Sequence, residues 1–157
     1  MNRRISCLLI AVACPLLAQS SGQQGGGEVV LAGKHYRFEP DSLMASTTAV
    51  DGERALQLKG RLICDDPADA LAFELVTFGA HEIYSLGLVR HEGTLEKARW
   101  NATMKTRVQV EAPEHPQAGD RATFKVEGPL VGTMEGPRHP TAWSGTFWAG
   151  FSVEHAP

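Results

Sequence analysis

Residues 55–64 read Ala-Leu-Gln-Leu-Lys-Gly-Arg-Leu-Ile-Cys, and this stretch decides the fold class because apolar and polar side chains alternate along it. Successive side chains of a β-strand point to opposite faces, so a period of two indicates a strand with one buried and one wetted face. The predicted buried face consists of Leu56, Leu58, Leu62 and Cys64. The predicted wetted face consists of Gln57, Lys59 and Arg61.

The same alternation returns in three later stretches, at residues 71–78, 106–112 and 121–127. Weaker strand patterns lie at residues 35–38, 42–50, 82–90, 99–104 and 143–153. Turn-forming pairs such as Asp51-Gly52 separate the strands. About eight short strands with wetted outer faces predict an all-β, mainly antiparallel single domain, either a sandwich or a small barrel. One short helix is also expected near residues 94–101, where Thr94 would cap it.

The first twenty residues have a different composition from the rest of the chain. Two arginines precede the apolar run 5–18, and small residues follow it, which is typical of a secretory signal. The run is shorter than the roughly 20 apolar residues of a membrane-spanning helix and contains Pro15. We therefore expect a signal peptide over residues 1–20, a flexible Gly/Ser/Gln linker over 21–28 and the β domain over 29–157.

The signal predicts an exported protein, periplasmic or extracellular, with no membrane span after cleavage. The alternative is a lipoprotein anchored at Cys14, since small residues precede that cysteine. Cys7 and Cys14 lie in the predicted signal, so only Cys64 of the three cysteines would remain, and the domain would contain no disulfide. The formal net charge of −3 argues against binding to nucleic acid.

Six histidines suggest a metal-binding hypothesis. His81-Glu82 and His91-Glu92 bracket one predicted strand, and ten extended residues span roughly 33 Å, so these two histidines cannot bind one ion. His115 and His139 each precede a proline in a predicted loop and are weak candidate ligands. Solvent-exposed loop histidines are the simpler interpretation, and no cofactor is predicted.

A turn at residues 65–69 contains three carboxylates, which suggests a calcium site in an exported β protein. The carboxylates belong to Asp65, Asp66 and Asp69. The turn lacks the alternating ligands and distant glutamate of a helix-loop-helix calcium site. A solvated acidic connection between two strands is the simpler interpretation.

The last predicted strand carries the clearest surface feature. Trp148 falls on a face that otherwise consists of small and polar residues. A tryptophan in such surroundings would stack a sugar or mark a surface for a partner, unless that face is covered. Trp148 is therefore a candidate ligand-binding residue.

Residues 73–82 read Phe-Glu-Leu-Val-Thr-Phe-Gly-Ala-His-Glu and continue to Ser85-Leu86. This segment resembles the Gly-x-x-His-Glu-x-x-x-Leu segment of YdjY-like exported proteins, which are small bacterial domains with no well-established activity. Gly119-Asp120-Arg121 and Trp143-Ser144-Gly145-Thr146 follow in a similar order. The chain departs from that family at residues 94–105, which are more polar. The resemblance implies that His81 and Glu82 lie as a pair at the head of a strand, and it implies no reaction.

The sequence contains no Gly-x-Ser-x-Gly elbow and no other recognisable catalytic set, so an enzymatic role is not favoured. The leading hypothesis is a non-catalytic module that binds a small ligand or an envelope protein, with Trp148, His81 and Glu82 as candidate residues. A metal-binding protein or metalloenzyme that uses His81, Glu82 and loop histidines is the first alternative. A structural subunit that docks through an open sheet edge is the second.

Overall fold

The computed structural model describes residues 24–132 and 140–151, and this part of the chain forms ten β-strands. The strands are β1 (Gly25–Leu31), β2 (Lys34–Phe38), β3 (Met44–Val50), β4 (Glu53–Ile63), β5 (Leu71–Phe78), β6 (Glu82–Glu92), β7 (Leu95–Ala102), β8 (Arg107–Glu111), β9 (Arg121–Gly132) and β10 (Pro140–Phe151). A 3-10 helix, Pro67–Asp69, connects β4 to β5.

Eight of the strands close into a barrel, in the order β1-β2-β4-β5-β6-β7-β9-β10 and back to β1. All eight neighbouring pairs are antiparallel. β3 pairs with β4 and, through two residues in parallel, with the end of β10. β8 pairs with the first half of β9. The prediction of an all-β, mainly antiparallel domain is confirmed, and the barrel is the form it takes.

Aromatic side chains fill the centre of the barrel. The Phe147 ring lies 5.1 Å from that of Phe38, 5.5 Å from Phe73 and 5.3 Å from Phe124, measured between ring centroids. Trp143 stacks on Phe73 at 6.4 Å. The interior of an eight-stranded barrel is just wide enough to be filled by side chains. Any ligand site of this barrel must therefore lie at one of its ends or on its outside.

The predicted short helix near residues 94–101 is wrong, because those residues belong to β7 and to the turn before it. Gly93 makes this turn in the left-handed region, at a φ of 61°. β7 pairs with β6 from Leu95 to Asn101, and Trp100 packs against the core. The cross-strand hydrogen bonds and the burial of Trp100 outweigh the local helical tendency of this stretch.

The linker predicted over residues 21–28 is wrong for residues 25–28, which form the first part of β1. Gly27 pairs with Phe147 and has a φ of 130°. A Cβ atom at Gly27 would lie 2.5 Å from the Phe147 Cα, so only glycine permits this close approach of β1 to β10. The glycines that indicate a linker by composition are required here by packing. Residues 21–23 and the predicted signal lie outside the described residues.

Candidate functional site

The two ends of the barrel differ in chemistry. At the end where β4 begins and β5 finishes, which we call the apolar end, a cleft of about 320 Å³ opens between β4, the β5–β6 turn and the loop after β8. Its lining is mostly apolar and consists of Arg54, Ala55, Leu56, Gly79, Ala80, Val110, Ala112, Pro113, Glu114 and Pro116. We refer to this space as the apolar-end cleft.

Polar contacts hold the walls of the apolar-end cleft together. The Val110 N–H donates to the Ala80 carbonyl at 2.8 Å and joins β8 to the β5–β6 turn. The Arg54 Nη1 donates to the Glu114 carbonyl at 3.1 Å and lies 3.3 Å from the His115 Nδ1. A guanidinium has five N–H donors, and these contacts use one of its nitrogens. Arg54 therefore places a positive charge at the rim of an apolar cleft.

Thr77 lies in the core beneath this cleft. It pairs with Leu56, a cleft-lining residue, and is fully buried. Its Oγ1 has no hydrogen-bond partner among the described residues. A buried hydroxyl without a hydrogen-bond partner lowers the stability of the folded state by about 1–3 kcal/mol, and Thr77 has this effect beneath the apolar-end cleft.

At the opposite end, which we call the charged end, two cations share one carboxylate. The Lys34 Nζ and the Arg90 Nη1 both donate to the Asp69 carboxylate, the latter at 3.1 Å. The hydrogen bond from Lys34 holds the pKa of Asp69 below its ordinary value, and the same bond raises the pKa of Lys34. The Lys34 ammonium also lies 5.8 Å from the centre of the Tyr36 ring, and burial raises the pKa of that tyrosine.

A larger and more open cleft, of about 810 Å³, adjoins these charged side chains, and we call it the charged-end cleft. It is lined by Gly60, Arg61, Pro67, Ala68, Asp69, Ala70, Leu71, Ala72, Arg90, His91, Glu92, Gly93 and Lys97. The two clefts lie at opposite ends of β4, β5 and β6, so the aromatic core separates them.

The three aspartates of the predicted calcium turn do not converge on one point. Asp66 caps the 3-10 helix, because its Oδ1 accepts from the Ala68 N–H at 3.0 Å. Asp69 binds two cationic side chains instead of facing the other carboxylates. Asp65 is exposed. The nearby Cys64 is partly buried against the core, and its Sγ donates to the Asp66 carbonyl.

The candidate metal ligands are not brought together. His81 and Glu82 lie at the head of β6, and both are exposed. His81 lines a separate groove of about 380 Å³ with Arg107, Val108, Gln109, Lys125 and Glu127. His115 instead contacts Arg54. His139 lies outside the described residues. Within residues 24–132 and 140–151, no three His, Cys, Asp or Glu side chains are grouped to hold an ion.

Trp148 lies on the outer face of β10, as expected, opposite Thr123 of β9 and Gly26 of β1. It is half-buried, and the Arg121 guanidinium carbon lies 4.2 Å from the centre of its ring. This cation–π contact covers part of the indole. A sugar that stacks on Trp148 must therefore compete with Arg121.

The residues that define the two ends were not among those predicted from the sequence, namely Lys34, Arg90 and Arg54. A signal for two of them exists in the strand period. Arg90 follows the inward positions of Leu86 and Leu88, and Lys34 precedes Tyr36 on the same face of its strand. A charged residue that occupies an inward position at a strand end indicates a polar cap on the core.

No helix in the described ranges is both long and apolar enough to cross a membrane. Comparison with protein-family models, with curated proteins and with solved structures found no match for this chain. The resemblance to YdjY-like exported proteins therefore stays a prediction.

Proposed function

We propose that this chain is an exported, non-catalytic binding protein and that its apolar-end cleft holds a small amphiphile with an anionic head. The observation that carries the proposal is a mostly apolar cleft with the Arg54 guanidinium at its rim. The apolar part of the ligand would occupy the space between Leu56, Val110 and Ala112, and its head group would bind Arg54.

The size and composition of the cleft support this proposal. Ligand sites usually measure about 300–1,000 Å³ and are lined by apolar side chains with a few polar groups that fix orientation. At about 320 Å³ the apolar-end cleft suits a small ligand. A carboxylate head fits best, because a guanidinium binds carboxylates through two parallel hydrogen bonds.

We favour binding over catalysis because of the side chains around this cleft. Among the described residues that line it, none is a serine, cysteine or lysine, the common nucleophiles. Export rests on the cationic start and apolar run of residues 1–20. Mass spectrometry of the protein from the envelope fraction tests export, and an uncut N-terminus that stays in the cytoplasm would contradict it.

Titration calorimetry with octanoate and octan-1-ol tests the ligand. These probes share an apolar chain, and only octanoate carries an anionic head. We expect octanoate to bind and Arg54→Gln to weaken it about tenfold, with a smaller effect on octanol. Ala112→Trp should block both probes, because Ala112 is an exposed residue of the cleft wall.

Arg107→Gln is the matched control, since it removes an arginine from the other groove and should leave both affinities unchanged. If the wild-type protein binds neither probe, the proposal fails. It also fails if Arg54→Gln and Arg107→Gln have the same effect on octanoate.

Two other functions have less support. The groove beside His81 contains Arg107 and Lys125, whose charges repel a metal cation. Every strand of the eight-stranded ring has a neighbour on both sides for at least part of its length, which limits docking through an edge of the ring itself.

A further inference from the structure

The charged end places two cations where the strand period calls for apolar side chains. Arg90 pairs with Leu71, which is 1% exposed, and Lys34 pairs with Leu31, which is 4% exposed. Paired residues of neighbouring strands share a face, so both cations extend from the inner face at the end of the barrel. They form a polar cap on the aromatic core.

Asp69 and Arg90 line the charged-end cleft, and Lys34 reaches it through its ion pair with Asp69. The 3-10 helix, capped by Asp66, carries Asp69 toward them. The Asp69 side chain is 29% exposed, and those of Lys34 and Arg90 are each 41% exposed. The three charged groups are therefore ordered by one another and still accessible to a dissolved anion.

The charges at this end are unequal. Arg61 pairs with Glu39 at 3.5 Å, and Lys97 pairs with Glu92 at 3.0 Å, one cation to one anion. Lys34 and Arg90 share the single Asp69 carboxylate, so in this contact two cations face one anion. An anion is the ligand that such a site attracts.

The chemistry of the site favours phosphate over a simple carboxylate. Asp69 already supplies one carboxylate to both cations, so a second monoanion gains little by competing with it. A phosphate group carries close to two negative charges at neutral pH and has three or more acceptor oxygens. It can accept hydrogen bonds from the Arg90 fork and from the Lys34 ammonium at the same time.

We propose that the charged-end cleft binds the phosphate group of a small soluble ligand, with Lys34 and Arg90 as the binding residues. Arg61 and Lys97 also line the cleft, each paired with a carboxylate, and can donate further hydrogen bonds to the ligand. Asp69 is a positioning residue that orients the two cations and competes with the ligand for them. This site is separate from the apolar-end cleft and does not depend on the function proposed for that cleft.

Calorimetric titration of the whole chain with inorganic phosphate, and with acetate as the monoanion, tests the assignment. We expect phosphate to bind more tightly than acetate and Arg90→Gln to weaken phosphate by about tenfold or more. Lys97→Gln, on the exposed wall, should weaken it only a few-fold. Arg107→Gln should have no effect, because Arg107 lines a different groove. If circular dichroism shows that Arg90→Gln does not fold, the phosphate affinities of Lys97→Gln and Arg107→Gln decide the question. Equal affinities in these two variants would then overturn the assignment.

Asp69→Asn should change the phosphate affinity in the opposite direction to Arg90→Gln. It removes the competing charge and keeps an oxygen that accepts from both cations, so phosphate affinity should rise several-fold. A purely structural set of ion pairs predicts no phosphate binding in any variant, and that result would overturn the proposal. A fall in affinity in Asp69→Asn would overturn the role given to Asp69.

Vesicles that contain phosphatidic acid identify the source of the phosphate group. Binding to these vesicles without binding to inorganic phosphate would overturn the assignment to a soluble ligand. Octanoate affinity should be the same in Arg90→Gln as in the wild type. The two sites can therefore fail separately.

Discussion

The two ends of this barrel share the same strands and differ in how those strands finish. At the apolar end the inward positions of β4 and β8 stay apolar close to the ends of the strands, where Leu56 and Val110 line a cleft. At the charged end the inward positions change to Lys34 and Arg90, which need Asp69 as a counterion. The backbone forms antiparallel strand pairs at both ends. The side chains at the strand termini therefore determine which ligand each end attracts.

The largest expected effect comes from breaking the core that joins the two ends. Phe147→Ala removes the ring that contacts Phe38, Phe73 and Phe124, and it should lower the free energy of unfolding by about 3–5 kcal/mol. Denaturant unfolding measures this loss. Met104→Ala is the control, since Met104 is 97% exposed and its loss should cost under about 0.5 kcal/mol. Loss of one end with retention of the other would show that they fold independently.

Two buried threonines differ in whether their hydroxyl group has a hydrogen-bond partner. The Thr106 Oγ1 accepts from the Thr103 N–H and donates to the Pro129 carbonyl, each at 2.7 Å. Thr106→Val should cost about 1–3 kcal/mol, because it leaves these groups unpaired. Thr77→Val removes a buried hydroxyl that has no partner in the described structure, so it should be neutral or stabilising by about 1 kcal/mol. Equal losses in thermal unfolding for the two variants would contradict this account.

The charged end should make the stability of the protein depend on acid. The pKa of Asp69 is lowered in the folded protein, so its ion pairs contribute stability above its ordinary pKa. That contribution is lost as the pH falls below about 4 and protonates the carboxylate. Asp69→Asn should therefore be less stable than the wild type at neutral pH, and the difference should shrink in acid.

Urea unfolding at several pH values measures this difference. Asp65→Asn is the matched control, since it removes a carboxylate of the same turn without removing an ion pair to Lys34 or Arg90. A pH-independent difference between Asp69→Asn and the wild type would contradict the prediction.

The smallest effect is expected on the outer face, away from both ends. Arg121→Gln removes the cation from the Trp148 ring and should cost about 0.5–1 kcal/mol. The greater exposure of the indole should shift its fluorescence emission to the red. Octanoate and phosphate affinities should stay unchanged, and a change in either would connect this face to a barrel end.

Much of the fold follows from local pattern. The stretch predicted at residues 71–78 is the strand Leu71–Phe78, and the stretch at 55–64 is the strand Glu53–Ile63 within two residues at each end. The alternation of apolar and polar side chains depends only on residues that are neighbours in sequence, so strands can be predicted from a single sequence. Barrel closure depends on which strands pair at long range, and β1 was missed because its glycines carry no apolar period.

The sites were less predictable for the same reason. Lys34 and Asp69 are 35 residues apart, and Asp69 and Arg90 are 21 apart, so their meeting depends on strand order. His81, Glu82 and Trp148 stand where the sequence suggested, at a strand head and on an outer face. Their neighbours, Arg107, Lys125 and Arg121, come from other strands and change what those side chains can do.

The pairing of Gly27 with Phe147 has a consequence for how the molecule folds. The seam between β1 and β10 joins segments that are far apart along the chain, so closing it carries a large loop-closure entropy. Folds dominated by such non-local pairings form slowly. The hairpins of β4 to β7 join neighbouring segments and can assemble early, but the ring cannot close until β10 pairs with β1.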